Sequence, residues 1–296
     1  MANTSGPLVI GVGEILWDML PAGRQLGGAP ANFAFHAQQL GARGAVVSRV
    51  GDDALGHEIL EKLDAAGVDR RGVGIDPAHP TGVVDVTLDS KGVPTYVIRT
   101  GVAWDFIESS PINLELARSA DAICFGTLGQ RNAQSRSAIG AMLAAAKPGC
   151  LRVFDINLRQ QYYDAELLDT MLRQSDVLKL NEDELPMLAM RLGIRSIGDH
   201  TVAALVDRYP LKQVALTFGA GGAYIYGTDS RCTHPGVKCD VADTVGAGDA
   251  FTAALVMGLL AGRPVSWINN FANQLAAYVC SQHGAMPTLP DQLRAE

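Results

Sequence analysis

Asp243-Thr244-Val245-Gly246-Ala247-Gly248-Asp249-Ala250-Phe251 is the stretch on which the reading of this sequence turns. Two glycines flank one alanine and run straight into an apolar segment that reads as a helix over Ala247 to Ala261. Small residues let backbone N–H groups come close to a ligand. The unpaired N–H groups of a helix N-terminus favour an anion there. Asp249 falls in the same first turn, so a proton acceptor stands beside an anion site, the pairing that phosphoryl transfer requires. A tight turn with Asp249 as an ordinary helix-start carboxylate accounts for the same residues on local physics alone.

Outward from this turn, a second helix is expected from Val265 to His283. Upstream, short apolar runs alternate with helical patterns. Leu8 to Val12, Ala45 to Val50, Ala122 to Phe125, Arg152 to Phe154, Val177 to Leu180 and Val214 to Thr217 read as strands; Pro30 to Leu40 and Leu55 to Ala66 read as helices. This alternation predicts an α/β fold with a mostly parallel sheet and helices on both faces, and ligands at the carboxyl ends of its strands. The rhythm breaks at Gly72 to Ile75, Gly82 to Leu88 and Thr95 to Ile98, where short strands are set apart by Pro and Gly. Val84, Val86 and Leu88 alternate with Asp85 and Thr87, as in an antiparallel sheet with one wet face. The expected organisation is a main domain of residues 1–71 and 101–296, with residues 72–100 inserted as a small β lid to which residues 14–27 contribute.

A net charge of −7 argues against nucleic acid as a partner, which needs a basic footprint. The longest apolar stretch, Ala250 to Ala261, is shorter than the about 20 residues of a membrane span. The N-terminus carries no basic n-region, so no signal peptide and a cytoplasmic location are expected. The five cysteines are scattered, without a C-x-x-C, and are expected as reduced thiols. Gly11-Val12-Gly13 follows a strand, but Leu16 breaks G-x-G-x-x-G, which removes the dinucleotide-dependent oxidoreductase; a Walker A loop is absent as well.

The nine residues from Asp243 resemble the C-terminal signature of the ribokinase-like (PfkB) sugar kinases, and Gly27-Gly28-Ala29-Pro30-Ala31-Asn32-Phe33-Ala34 resembles their N-terminal signature. The resemblance implies a three-layer α/β/α ribokinase-like fold with a β lid, ATP and Mg²⁺, and a monosaccharide acceptor. It implies Asp249 as catalytic base, with Gly246, Ala247 and Gly248 as the anion hole for the γ-phosphate. Asp18, in Gly13-Glu14-Ile15-Leu16-Trp17-Asp18, is expected with Gly28 and Asn32 at the sugar hydroxyls. Asp155-Ile156-Asn157-Leu158-Arg159 is similar to a D-P-N-x-R segment of fructokinases and ketodeoxygluconate kinases, with Ile156 where proline is usual. Asn181 and Glu184 match an N-x-x-E element, Glu184 organising Mg²⁺ through water. Thr217, Gly219 and Gly222 match a T-x-G-x-x-G nucleotide loop, and Asn273 a position beside the adenine. Relatives hold K⁺ partly at the positions of Asp243 and Val245. They pair through the lid, so a homodimer is implied.

Pro30 and the Gly-Glu-Ile-Leu-Trp-Asp segment are closer to fructokinases than to ribokinases, which makes fructose, phosphorylated at O6, the first acceptor expected. A keto-sugar acid needs a cation for its carboxylate; Arg99, near Tyr96, and Arg159 are the candidates. Ribose is a further acceptor. A catalytically silent sugar sensor on the same fold is the alternative of a different class, and the intact Gly-Ala-Gly-Asp turn speaks against it.

Overall fold

Alternate residues of the central strands face two different helix layers, and this period of two builds the fold. The structure, a computed structural model, describes residues 6–20, 23–88, 94–196, 198–227 and 231–294. Its strands are β1 (Leu8–Val12), β2 (Leu16–Leu20), β3 (Gly23–Gly27), β4 (Arg43–Gly51), β5 (Asp69–Asp76), β6 (Gly82–Leu88), β7 (Pro94–Ile98), β8 (Ala122–Phe125), β9 (Leu151–Asp155), β10 (Val177–Asn181), β11 (Gln213–Thr217), β12 (Ala223–Gly227) and β13 (Arg231–His234). The helices are α1 (Ala29–Gln39), α2 (Ala54–Ala65), α3 (Pro111–Ser119), α4 (Ala133–Ala145), α5 (Ala165–Arg173), α6 (Glu184–Leu192), α7 (Asp199–Arg208), α8 (Ala247–Leu260), α9 (Val265–Cys280) and α10 (Asp291–Arg294).

Among the described residues the large sheet has nine strands in the order β13-β12-β11-β10-β9-β8-β1-β4-β5, parallel from β5 to β11 and closed at one edge by the antiparallel β12 and β13. Leu8, Ile10, Val12, Ile123, Phe125 and Phe154 point into one core with residues of α3 to α7. Val9, Ala122, Cys124, Val153 and Val177 point into a second core with α1, α8 and α9. Strands buried on both faces explain why these segments read as continuous apolar runs. No helix of the described residues is long and apolar enough to cross a membrane.

The small sheet has the order β3-β2-β6-β7. It consists of two antiparallel hairpins joined by a parallel β2–β6 pairing. Residues 16–20 and 23–27 thus supply half of it. Gly72 to Ile75, expected in this sheet, instead belong to β5, where Gly72 pairs with Val47 and Ile75 with Val50 in the large sheet. The reason is that β5 is an edge strand: Val73 is buried while Ile75 is 47% exposed, so its pattern resembles a half-wet strand rather than a core one. Residues 89–93 of the expected lid and Met1 to Ser5 lie outside the described residues.

Candidate active site

The turn before α8 lies at the carboxyl edge of the large sheet. Gly246 is the N-cap, with φ 80°, and no side chain caps the helix. Its left-handed backbone and the Ala285 carbonyl, which would lie 2.5 Å from an added β-carbon, restrict this position to glycine. The Ala247 amide donates to the Thr244 carbonyl at 3.4 Å, while the next amides of the first turn have no intrahelical acceptor and are available to an anion. Below them, Lys179 Nζ would lie 3.1 Å from a β-carbon placed on Gly248. A buried ammonium therefore backs the cradle, which increases its attraction for phosphate.

Asp249, in this first turn, accepts a hydrogen bond from Asn32 Nδ2 of α1 at 2.8 Å. Burial first, and then the nearby Asp155, raise its carboxyl from 3.8 to about 7 against the opposing effects of Asn32, Lys179 and Arg159. A carboxylate at a helix N-terminus is expected to be a weak base; here desolvation outweighs the helix end, and the group can hold a proton near neutral pH. Asp155, at the end of β9, bonds Lys179 Nζ at 3.2 Å and accepts from Thr252 Oγ1 at 2.8 Å. Thr252 also donates to the Gly248 carbonyl at 3.0 Å, tying the start of α8 to the central sheet.

Asp18, on β2, pairs with Val84, which in turn pairs with Ile98. Val84 and Ile98 pack with Trp104 and Leu128, so this face of the small sheet looks onto the main domain. Burial raises Asp18 to about 6, against the opposing charge of Arg159. The Arg159 charge lowers Asp18, Glu14 and Asp249 alike. Arg159 bonds the Leu158 carbonyl at 3.3 Å and, among the described residues, has no carboxylate in salt-bridge contact. Gly28, with φ 113°, precedes α1 against the Glu14 carbonyl.

Residues expected along the nucleotide gather at the ends of the neighbouring strands. Asn181 and Thr217 are register partners on β10 and β11. Gly219 and Gly222 bound the turn that leads from β11 to β12, with φ 53° and 89°. Asn181 Oδ1 caps α6 by accepting from the Asp183 and Glu184 amides at 3.0 and 2.9 Å. Glu184 accepts from the Leu158 amide at 2.9 Å and from the Asn181 amide at 2.8 Å, so it joins the loops after β9 and β10. Asn273 donates to the Asn269 carbonyl and side chain at 2.7 and 2.9 Å, and Asn269 ties α9 to β12 and β13. Asp243 accepts from the Val245 amide at 3.0 Å and the Gly284 amide at 3.1 Å, which shapes the loop before the cradle.

Asp249 on α8, Gly28 and Asn32 at the start of α1, Asp18 on β2 and Arg159 after β9 thus come from four separate segments to one region. Arg99 does not join them. It grips Asp85 with two hydrogen bonds of 2.7 and 2.8 Å and is 57% exposed. Asp85 pairs with Val97, on the strand face opposite Val84 and Ile98, so Arg99 is turned away from the cleft. Asn32 gives its NH₂ to Asp249, and its buried Oδ1 has no partner among the described residues. Sequence reasoning assigned no role to Lys179, Thr252 or Glu14. Lys179 inside an apolar strand was a signal, since lysine is rarely buried unless paired; Thr252 gave none.

The family model for pfkB family carbohydrate kinases matches residues 22–292. Probable fructokinase-2 of Arabidopsis thaliana is 31% identical, over 97% of this chain and 94% of its own. The structure of an uncharacterized sugar kinase of Pyrococcus horikoshii in complex with ATP superposes with a TM-score of 0.83 at 27% identity, covering 98% of both chains. Fructokinase of Vibrio cholerae O395, in a form with fructose, ADP and calcium ion bound, has a TM-score of 0.78 at 29% identity over 97% of both chains.

Proposed function

The chain belongs to the pfkB family of carbohydrate kinases and is a sugar phosphotransferase, and on that premise we propose that it transfers the γ-phosphate of ATP to O6 of fructose. The observation that carries this reading is Asp249: a carboxylate lifted to about 7 and fixed by Asn32, at the open N-terminus of α8. The fructokinase relatives and the fructose-bound neighbour support the choice of sugar.

In this mechanism the sugar lies between the lid and α1, against Asp18, Gly28, Asn32 and Arg159. ATP lies over Asn181, Thr217, Gly219, Gly222 and Asn273. Asp249 accepts the hydroxyl proton as that oxygen meets the γ-phosphorus. Because the transition state is loose, the proton can leave late, and a base of this strength suffices. The Gly246, Ala247, Gly248 and Asp249 backbone, with Lys179 behind it, holds the transferring charge. Mg²⁺ would come with the nucleotide phosphates and keep much of its hydration shell, with Glu184 acting through water. Bound there, it neutralises phosphate charge. The loop that Asp243 shapes would offer the carbonyls of Asp243 and Val245 to K⁺. Closure of the lid excludes water, and its exposed Met19 and Val97 suit pairing with a second copy in a cytoplasmic homodimer.

Arg159, which among the described residues has no carboxylate in salt-bridge contact, favours a second acceptor class, a keto-sugar acid such as 2-keto-3-deoxygluconate. The test is ADP release from Mg·ATP across fructose, other hexoses, ribose, nucleosides and keto-sugar acids, with and without K⁺. Release with fructose above the rest supports the proposal. Release only with a sugar acid moves the acceptor to that class, and sugar binding without ADP release turns the protein into a sensor.

A further inference from the structure

His36 stands one helical turn after Asn32 on the same face of α1. It is fully buried, and its Nε2 lies 2.9 Å from the Ala285 carbonyl. A carbonyl oxygen only accepts, so Nε2 carries the hydrogen and donates it. Burial pushes the ring down to about 4, which keeps it neutral, and its Nδ1 has no partner among the described residues.

Gln39, one turn further along α1, holds the same strap of chain. Its Nε2 donates to the Pro287 carbonyl at 3.0 Å, and its Oε1 accepts from the Leu289 amide at 2.8 Å. Residues 285–289 are thus hung on α1 by the bonds of His36 and Gln39. The near end of the strap meets the phosphate cradle at two points. The Gly284 amide donates to Asp243 Oδ2 at 3.1 Å. The Cα and Cβ of Ala285 would lie 2.7 and 2.8 Å from a β-carbon on Gly246. The strap therefore touches both ends of the turn 243–246.

Resting on the kinase reading, we infer that His36 is a positioning residue for phosphoryl transfer: by holding the Ala285 carbonyl it keeps the strap against Gly246 and so fixes the amides that receive the γ-phosphate. α1 then acts on the site twice. Asn32 sets the Asp249 side chain from the front. His36 sets, from behind, the backbone on which Asp249 stands. Donors of this kind work because they are in place before charge develops, and a displacement of about 1 Å costs up to about 100-fold. An apolar ring at position 36 fills the space but leaves the buried Ala285 carbonyl without its donor. The strap is then free to drift, and Gly246 with it.

Amide hydrogen exchange tests this on two variants. His36→Phe keeps a ring and removes the donor; His36→Gln keeps a donor at the place of Nε2. The reporters are the Gly284 amide, held by Asp243, and the Ala250 amide, which bonds the Gly246 carbonyl at 2.9 Å. In His36→Phe, peptides covering 243–252 and 281–289 should exchange about tenfold faster than in the native protein, the weight of one buried hydrogen bond. Peptides of β10 and β11 should keep their rates. Turnover should fall about 10- to 100-fold while KM for the sugar changes less than about threefold, and His36→Gln should recover most of both losses. Gln39→Ala, at a half-buried position, should loosen the same peptides to a smaller extent, and it carries the test if the Phe variant does not fold. Unmoved exchange at 243–252, a rise shared equally by β10 and β11, or an equal loss of turnover in both His36 variants overturns the inference. If the cradle peptides loosen as expected while the native protein phosphorylates no sugar, the strap stands and the kinase reading falls.

Discussion

Replacing Asp249 by Asn should abolish most of the turnover and make the protein more stable. The carboxyl titrates at 3.8 in an unfolded chain and at about 7 in the fold. Between those values the folded state binds the extra proton, so stability falls as pH rises from about 4 to 7 and stays low above that. At about 1.4 kcal/mol per pH unit, the gap amounts to about 4 kcal/mol at pH 8 as an upper bound. Loss of the charged Asn32 bond offsets about 1.5 kcal/mol or more of that. A gain of about 1–3 kcal/mol for Asp249→Asn at pH 8, and near none at pH 4, follows. Urea denaturation at the two pH values measures it. Turnover in the same preparation should drop at least about 100-fold, the low end for loss of a general base. A variant no more stable at pH 8 than the native protein would show that burial does not strain this carboxylate. Turnover within about tenfold would remove it as the base.

Asp18→Ala should raise KM for the sugar about 10- to 100-fold, the loss of a charged hydrogen bond, with kcat less affected; unchanged sugar affinity by calorimetry would place the pocket elsewhere. Lys179→Met leaves Asp155 buried without its cation and should cost about 3–5 kcal/mol of stability in denaturant titration, with weaker ATP binding; equal stability and ATP affinity would deny Lys179 its place behind the cradle. Arg99→Ala removes an exposed ion pair with Asp85, so steady-state assays with fructose and with a keto-sugar acid should match the native protein, and stability should change by less than about 1 kcal/mol. A large rise in KM for the acid would return Arg99 to the pocket.

The local sequence was sufficient for the elements that local physics controls. Apolar runs such as Leu8 to Val12 announced buried parallel strands, because two covered faces demand apolar side chains at every position. The glycine-rich turn at Gly246 announced an uncapped helix start for the same kind of reason: only glycine suits its backbone. What depends on neighbours distant in the chain was not legible. β5 belongs to the large sheet because β4 is there to pair with it, and its own half-exposed pattern fits either sheet. Arg99 seemed equal to Arg159 as a substrate cation until the pairing of β6 with β7 set Asp85 beside it. The basicity of Asp249 reversed from the local expectation because burial and Asp155, nearly a hundred positions away, outweigh the helix terminus. A sequence fixes which groups can ionise and which backbone can turn. How far water is removed from a charge, and which charge faces it, is settled only when the strands and helices close around it.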